Sequence, residues 1–555
     1  MRPTAVLATL LLASAAPHAL AASDVPGGGI SAAAISQHIK TLASDEFEGR
    51  GPATPGETKA IGYIIAQFKK DGLQPGGDSK GPWGAWVQDV PLARFQVTAP
   101  VFSLTAGGQT GPLVANAQIV ARTLLPVDHV SIKDAPLVFI GYGVKAPDRH
   151  WDDFKGVDLH GKIAVVLIND PDYEADLGGR FDGKSETYYG RWTYKYEEAA
   201  RQGAAGILIV HETGPAGYGW NTVKNSNSNA QFDIVSEDPA KAHTPLEGWI
   251  QRDVAVDLFK RSGLDFEAAK KSAQSEDFHP VELKGARFSA DYGVEHSQII
   301  TYNVIGRIAG AARPNETLIY SAHWDHLGVG QPDATGHKIY NGAVDNASGV
   351  AALLEMGRVF AAGPAPQRSV IFIAVTAEEK GLLGSAYYAA HPVYSLATTV
   401  ADLNMDGFGT FGPARNISIS GTGQLTLLDD LVARAKSQQD RYFTPDPTPE
   451  AGHFFRADHF SFAKAGLPAI TLSAGNDLVN GGLAAGKAHQ EDYVAHRYHQ
   501  PGDQWRADWD LSGEALDATL YYDLGRDLAN STEWPVWKAG SEFKAARDAS
   551  ATARR

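Results

Sequence analysis

The chain has 555 residues, more than one ordinary domain needs, and its 43% hydrophobic and 20% charged content is that of a globular protein with ample core. A formal charge of -15 with no Lys/Arg-rich run argues against a nucleic-acid partner. The absence of cysteine excludes disulfides, cysteine nucleophiles and thiolate ligands, so any metal must be held by His, Asp and Glu.

At the start, "MRPTAVLATLLLASAAPHALAAS" carries Arg2, an apolar run from Ala5 to Ala16 and small residues at Ala19 and Ala21, the pattern of a secretory signal cut after Ala21. That run is shorter than the roughly 20 residues a membrane span requires. The expectation is an exported protein, periplasmic or secreted, with no stable membrane insertion. Residues 33 to 73 predict two amphipathic helices joined by "SDEFEGRGPATPGE", a loop marked by Gly, Pro and Thr, and residues 86 to 124 alternate as strands do.

From about 135 to 285 the texture changes. "APLVFIGYGV" and "GKIAVVLIND" predict buried strands with Gly turns, and "YKYEEAARQGAAGILIVHE" predicts a helix followed by a strand. This block offers little of the spacing that catalysis needs, and is expected to be an inserted β-rich domain. Beyond about 298, "ETLIYSAHWDH", "RSVIFIAVTAEE", "TTVADLNMDGFG" and "LPAITLSAG" end apolar runs in polar residues, with the helix "NASGVAALLEMGRVFAA" between the first two. Alternating strands and helices predict an α/β fold with a mainly parallel, mixed sheet covered by helices on both faces. Ligands bind such sheets beyond the carboxyl ends of strands. The expected organisation is a signal at 1–21, an N-terminal segment at 22–134 that contributes to the α/β domain, an insertion at 135–285, the α/β domain at 286–540 and a polar, solvated tail at 541–555.

The chemistry-bearing residues gather at those strand ends. In "YSAHWDHLG", His323 and Asp325 are two apart and point the same way on an extended chain. Asp345 precedes a helix in "NGAVDNASGV", where it, Asn346 or Ser348 could equally cap free N–H groups. Glu378 and Glu379 stand side by side after a wholly apolar run, where a base and a metal ligand could be neighbours. Asp406 ends "NMDG", with Gly407 permitting a sharp turn, and His499 lies in the Pro/Gly loop "RYHQPGDQW". Two His and three carboxylates, plus one spare Glu, suffice for two zinc ions sharing a carboxylate.

The order H-x-D, D-N-x-S-G, E-E, D-G, H resembles the zinc peptidase family of bacterial leucyl aminopeptidases, glutamate carboxypeptidase and their relatives, metallopeptidase family twenty-eight. The resemblance implies that His323 and Asp406 bind one Zn2+, that Glu379 and His499 bind the other, and that Asp345 bridges them. It further implies Glu378 as general base, Asp325 as the acid behind His323, and a cis peptide between Asp345 and Asn346. Under it, 135–285 is similar to the protease-associated domain of longer bacterial members and 286–540 to their catalytic domain. "FFRADHFSFAKAGLPAI" matches the S-D-H-x-x-F segment beside the site, with Ala457 in place of Ser. The activity implied is peptide-bond hydrolysis on peptide substrates, with aminopeptidase action favoured.

Alternatives in the same fold are a carboxypeptidase or dipeptidase, which would need a basic cluster for the terminal carboxylate, a single-zinc glutaminyl cyclase, and a receptor-like relative that would have lost ligands. Other clusters are expected to be structural. These are His150, Asp152 and Asp153, and the aromatics Tyr188, Tyr189, Trp192, Tyr194 and Tyr196, which could instead line a cleft. His326 is expected behind the ligands or at the rim rather than as a ligand itself, and His453 and His459 in the pocket.

Overall fold

Apolar runs without alternation become strands buried on both faces: every residue of Arg368–Val375 and Thr399–Asn404 is buried. They belong to a computed structural model that describes residues 29–175, 177–419, 424–472 and 474–554; the expected signal at 1–21 lies outside them. No helix of the described residues is long and apolar enough to cross a membrane.

One mixed sheet organises the chain. Ala469–Thr471, Thr399–Asn404, Arg313–His323 and Arg368–Val375 run parallel, in that order. A second parallel set, His129–Phe139, Ile163–Leu167, Gly206–His211 and Glu247–Gln251, lies beyond the strand Val281–Ile308, which joins the two sets through antiparallel ladders. Val87–Ala106 pairs along most of that long strand. The positions 135 and 285 both fall inside strands, and the sheet continues across them.

Two large cores flank the long strand. One joins Ile61 and Phe68 of the helix Pro55–Lys70 to Tyr320, Phe372 and the helix Ser512–Asn530. The other gathers Phe139, Phe259, Phe278 and Phe288. The tail departs from expectation: its helix Lys544–Ala549 docks, because buried Arg547 donates to the carbonyls of Leu396 and Thr399.

A buried charge cluster fixes the wall of the second core nearest the site. Arg122 donates to Glu247 and Gln231, while His243 lies 2.9 Å from Glu247 and 3.0 Å from Asp233. Burial opposes charge on His243, but hydrogen bonds to both carboxylates outweigh it and raise its pKa to about 9. Because the folded value lies above the unfolded one, this stabilisation is complete below about pH 6.5 and is lost as pH rises through about 9. At about 1.4 kcal/mol per pH unit, the contribution is capped near ~3 kcal/mol. Melting temperatures of wild type and His243→Gln should therefore differ clearly at pH 6 and converge by about pH 10; a constant gap would refute the assignment.

Candidate metal centre

Each site residue is delivered by a strand end or a tight turn. His323 is the last residue of Arg313–His323, with Nδ1 3.1 Å from the carbonyl oxygen of Asp325. A carbonyl only accepts, so Nδ1 carries the proton and Nε2 presents its lone pair to the site. That Nε2 lies 3.2 Å from both Asp345 Oδ1 and Asp406 Oδ1. The strand stops before Asp325, whose side chain turns elsewhere: its carboxylate accepts the Glu378 N–H at 3.1 Å and sits 3.8 Å from the His323 ring. Asp325 thus orients His323 through its backbone, while its carboxylate, raised by burial to about 7, anchors the Glu378 turn.

Asp345 and Asn346 divide the tasks the sequence left open. Asn346 Oδ1 accepts the N–H of Gly349 at the helix start and of Gly407, leaving the Asp345 carboxylate free for the site. The peptide between them is cis. Asp503, which sequence reasoning passed over, accepts the N–H groups of Val344 and Asp345. The D four residues after His499 was its only signal.

Glu378 and Glu379 occupy a turn with Ala377, Gly381 and Leu382 at positive φ. Their environments differ. Burial raises Glu378 well above the usual carboxylate range, and Asp406 and Glu379 add to it. Burial would raise Glu379 too, but neighbouring His499, with His326, pulls it to about 2. His499 Nε2 lies 3.0 Å from Glu379 Oε2 and 3.2 Å from Asp345 Oδ2. Asp345 thus reaches one histidine with each carboxylate oxygen.

His326 takes the first of its two expected places, behind Glu379 and not at the rim. It is buried, with Nδ1 against Glu379 Oε1, and neither atom has a well-directed hydrogen bond. Spacing left both places open, because it cannot show that the loop after His323 folds back over the glutamate turn. His323, Asp345 and Asp406 form one group whose ligand atoms lie within 4.8 Å of one another, and His326, Asp345 and Glu379 form another. Imidazole and carboxylate donors, unmatched buried polar atoms and a shared Asp345 fit a pair of zinc ions.

Buried Asp153 accepts from Val144 N–H and Trp151 Nε1, and Asp152 accepts from Phe154 N–H, so neither faces a ligand. Tyr188 and Trp192 line a cleft of about 200 Å3 that opens onto Glu378, Glu379 and His499, whereas Tyr194 and Tyr196 are buried packing. His459 is buried edge-on against Phe454, away from that cleft, and burial lowers its pKa to about 3. His453 packs nearby, with Nε2 3.2 Å from Thr448 Oγ1.

A mixed, mostly parallel sheet with a buried His/carboxylate cluster at its carboxyl ends is the arrangement of a metal-assisted hydrolase centre. Residues 303–522 match the family described as Peptidase family M28. Among curated relatives, the mouse "Aminopeptidase NAALADL1" is 33% identical over 153 residues, 23% of this chain and 19% of that protein. A "Probable zinc metalloprotease" of Pyrenophora teres f. teres is 33% identical over 106 residues, 19% of this chain and 22% of that protein. These matches span about a fifth of each relative's length. In structure, an aminopeptidase from Aneurinibacillus sp. strain AM-1 shares the fold, with a TM-score of 0.54 and 21% identity over 92% of this chain and 97% of that one.

Proposed function

We propose that the chain is an exported dizinc exopeptidase that removes N-terminal residues from peptides. The observation that carries this is Asp345 reaching His323 with one oxygen and His499 with the other, beside the unequal pair Glu378 and Glu379. The aminopeptidase and zinc metalloprotease names of the relatives point the same way. Export rests on the leader at 1–21. The inserted block is read as a protease-associated domain that walls the cleft.

His323, Asp345 and Asp406 would hold one zinc ion, and Asp345, Glu379 and His499 the other. When bound, such a pair supplies Lewis acidity that polarises the scissile carbonyl and steadies the charge developing on its oxygen. Glu378, whose affinity for a proton is raised by burial and by its acidic neighbours, takes as the carboxylate a proton from the attacking water and delivers it to the leaving amine nitrogen. The turn that carries it is tied to Asp325, which fixes where that proton is held.

One observation favours a second reading, a carboxypeptidase or dipeptidase: Arg191, Arg456 and Lys464 line the cleft and could meet a free C-terminal carboxylate. Chelation should abolish hydrolysis and zinc should restore it. Activity that survives full removal of metal would sink the proposal. Aminoacyl-arylamides compared with C-terminally free and blocked peptides separate the two readings, since only the second requires the free carboxylate.

A further inference from the structure

The second nitrogen of His499 is met by a residue far outside the family-matched segment. Ser226, in the last turn of the helix Trp220–Ser228, places its hydroxyl oxygen 2.8 Å from His499 Nδ1. Its neighbour Asn225, itself buried, donates Nδ2–H to the His499 carbonyl at 2.9 Å. That backbone bond matters because His499 sits at φ +54°, a conformation side-chain-bearing residues adopt at a cost. A third contact closes the arrangement. Lys380, next to Glu379, donates its ammonium to the Ser226 carbonyl at 3.2 Å. One helical turn of the 135–285 block therefore grips both the loop carrying His499 and the turn carrying Glu379.

A metal-binding histidine works only if its lone pair is on the nitrogen facing the ion, and its other nitrogen usually donates to a fixed acceptor. Nε2 faces Asp345 and Glu379, so Nδ1 is the nitrogen that must keep its proton. Among the described residues, the Ser226 hydroxyl is the side-chain oxygen placed to accept it. We infer that Ser226 is a positioning residue for His499, with Asn225 holding its backbone, so that the inserted block completes the metal centre rather than merely covering it.

The inference rests on the dizinc reading above, and the test separates the two. Zinc affinity is measured on the full, ion-free chain by competition with a chromophoric chelator, alongside the melting temperature without metal. Ser226→Ala should bind one of two zinc ions about 10- to 100-fold more weakly, with the ion-free melting temperature unchanged. Ser226→Thr, which keeps the hydroxyl, should retain wild-type affinity. The inference is overturned if Ser226→Ala binds both ions as tightly as wild type, or if Ser226→Thr is as weak as Ser226→Ala. Should Ser226→Ala not fold, Asn225→Ala is expected to weaken the same ion, and wild-type affinity there would overturn the inference equally. A wild-type chain that takes up no zinc would instead bring down the dizinc reading itself.

Discussion

Glu378→Gln is expected to hydrolyse aminoacyl substrates about a hundred to ten thousand times more slowly than wild type, while holding as much zinc. The amide keeps the shape and the backbone bond to Asp325 but can no longer take a proton. Glu379→Gln should behave differently. It removes the carboxylate that faces His499 at 3.0 Å, so metal affinity falls first and added zinc restores part of the rate. Steady-state kinetics with metal analysis distinguish them. A Glu378→Gln enzyme that keeps more than about a tenth of wild-type kcat would remove Glu378 from the role of base.

The largest stability effect is expected at Arg50, which ties together the loops behind the site. Arg50→Met should destabilise the fold by about 4 kcal/mol, measured by denaturant titration of the ion-free chain. Arg50 is 1% exposed, and its guanidinium donates to the carbonyls of Leu42, Trp324, Asn341 and Gly342 at 2.6 to 2.8 Å. Methionine fills much of the space but leaves those acceptors without donors, each costing about 1–3 kcal/mol before relaxation. Burial lowers the Arg50 pKa to about 10, with Asp503 and Asp325 opposing the shift, so the residue stays cationic at neutral pH. Arg50→Lys should recover part of the loss, since an ammonium cannot reach carbonyls spread across a planar fork. A loss below about 1 kcal/mol for Arg50→Met would show that the loops do not depend on it.

What the sequence disclosed and what it concealed divide along one physical line. The strand leading to Glu378 was legible because an unbroken apolar run bounded by charge is a local pattern. His323, Asp345 and Asp406 stood out because each ends or follows a strand or precedes a helix, where α/β sheets present ligands, whereas His499, in a loop after the helix Gly482–His496, joined them only through the family resemblance. Arg50 was hidden inside a stretch that looks like an ordinary Gly/Pro loop, since its partners Asn341 and Gly342 lie nearly three hundred residues away. Ser226 was hidden for the same reason: "NSNSNA" carries no periodicity, and its contact with His499 spans 273 positions. The two-residue spacing of His323 and Asp325 misled differently. It assumes extended backbone, and the strand ends at the histidine.

The long strand Val281–Ile308 bears on how such a chain can be modified by exchange of parts. Its first half is laddered to His129–Phe139 and its last residues, Val304–Ile308, to the strand that leads to Glu378. A cut at either edge of the 135–285 block severs a hydrogen-bonded ladder rather than a linker. The block is therefore not a cassette. Grafting in its place the corresponding block of a relative would transplant only residues 281–285 of that strand, together with the helical turn that grips His499, and only grafts matched in register would leave both ends joined.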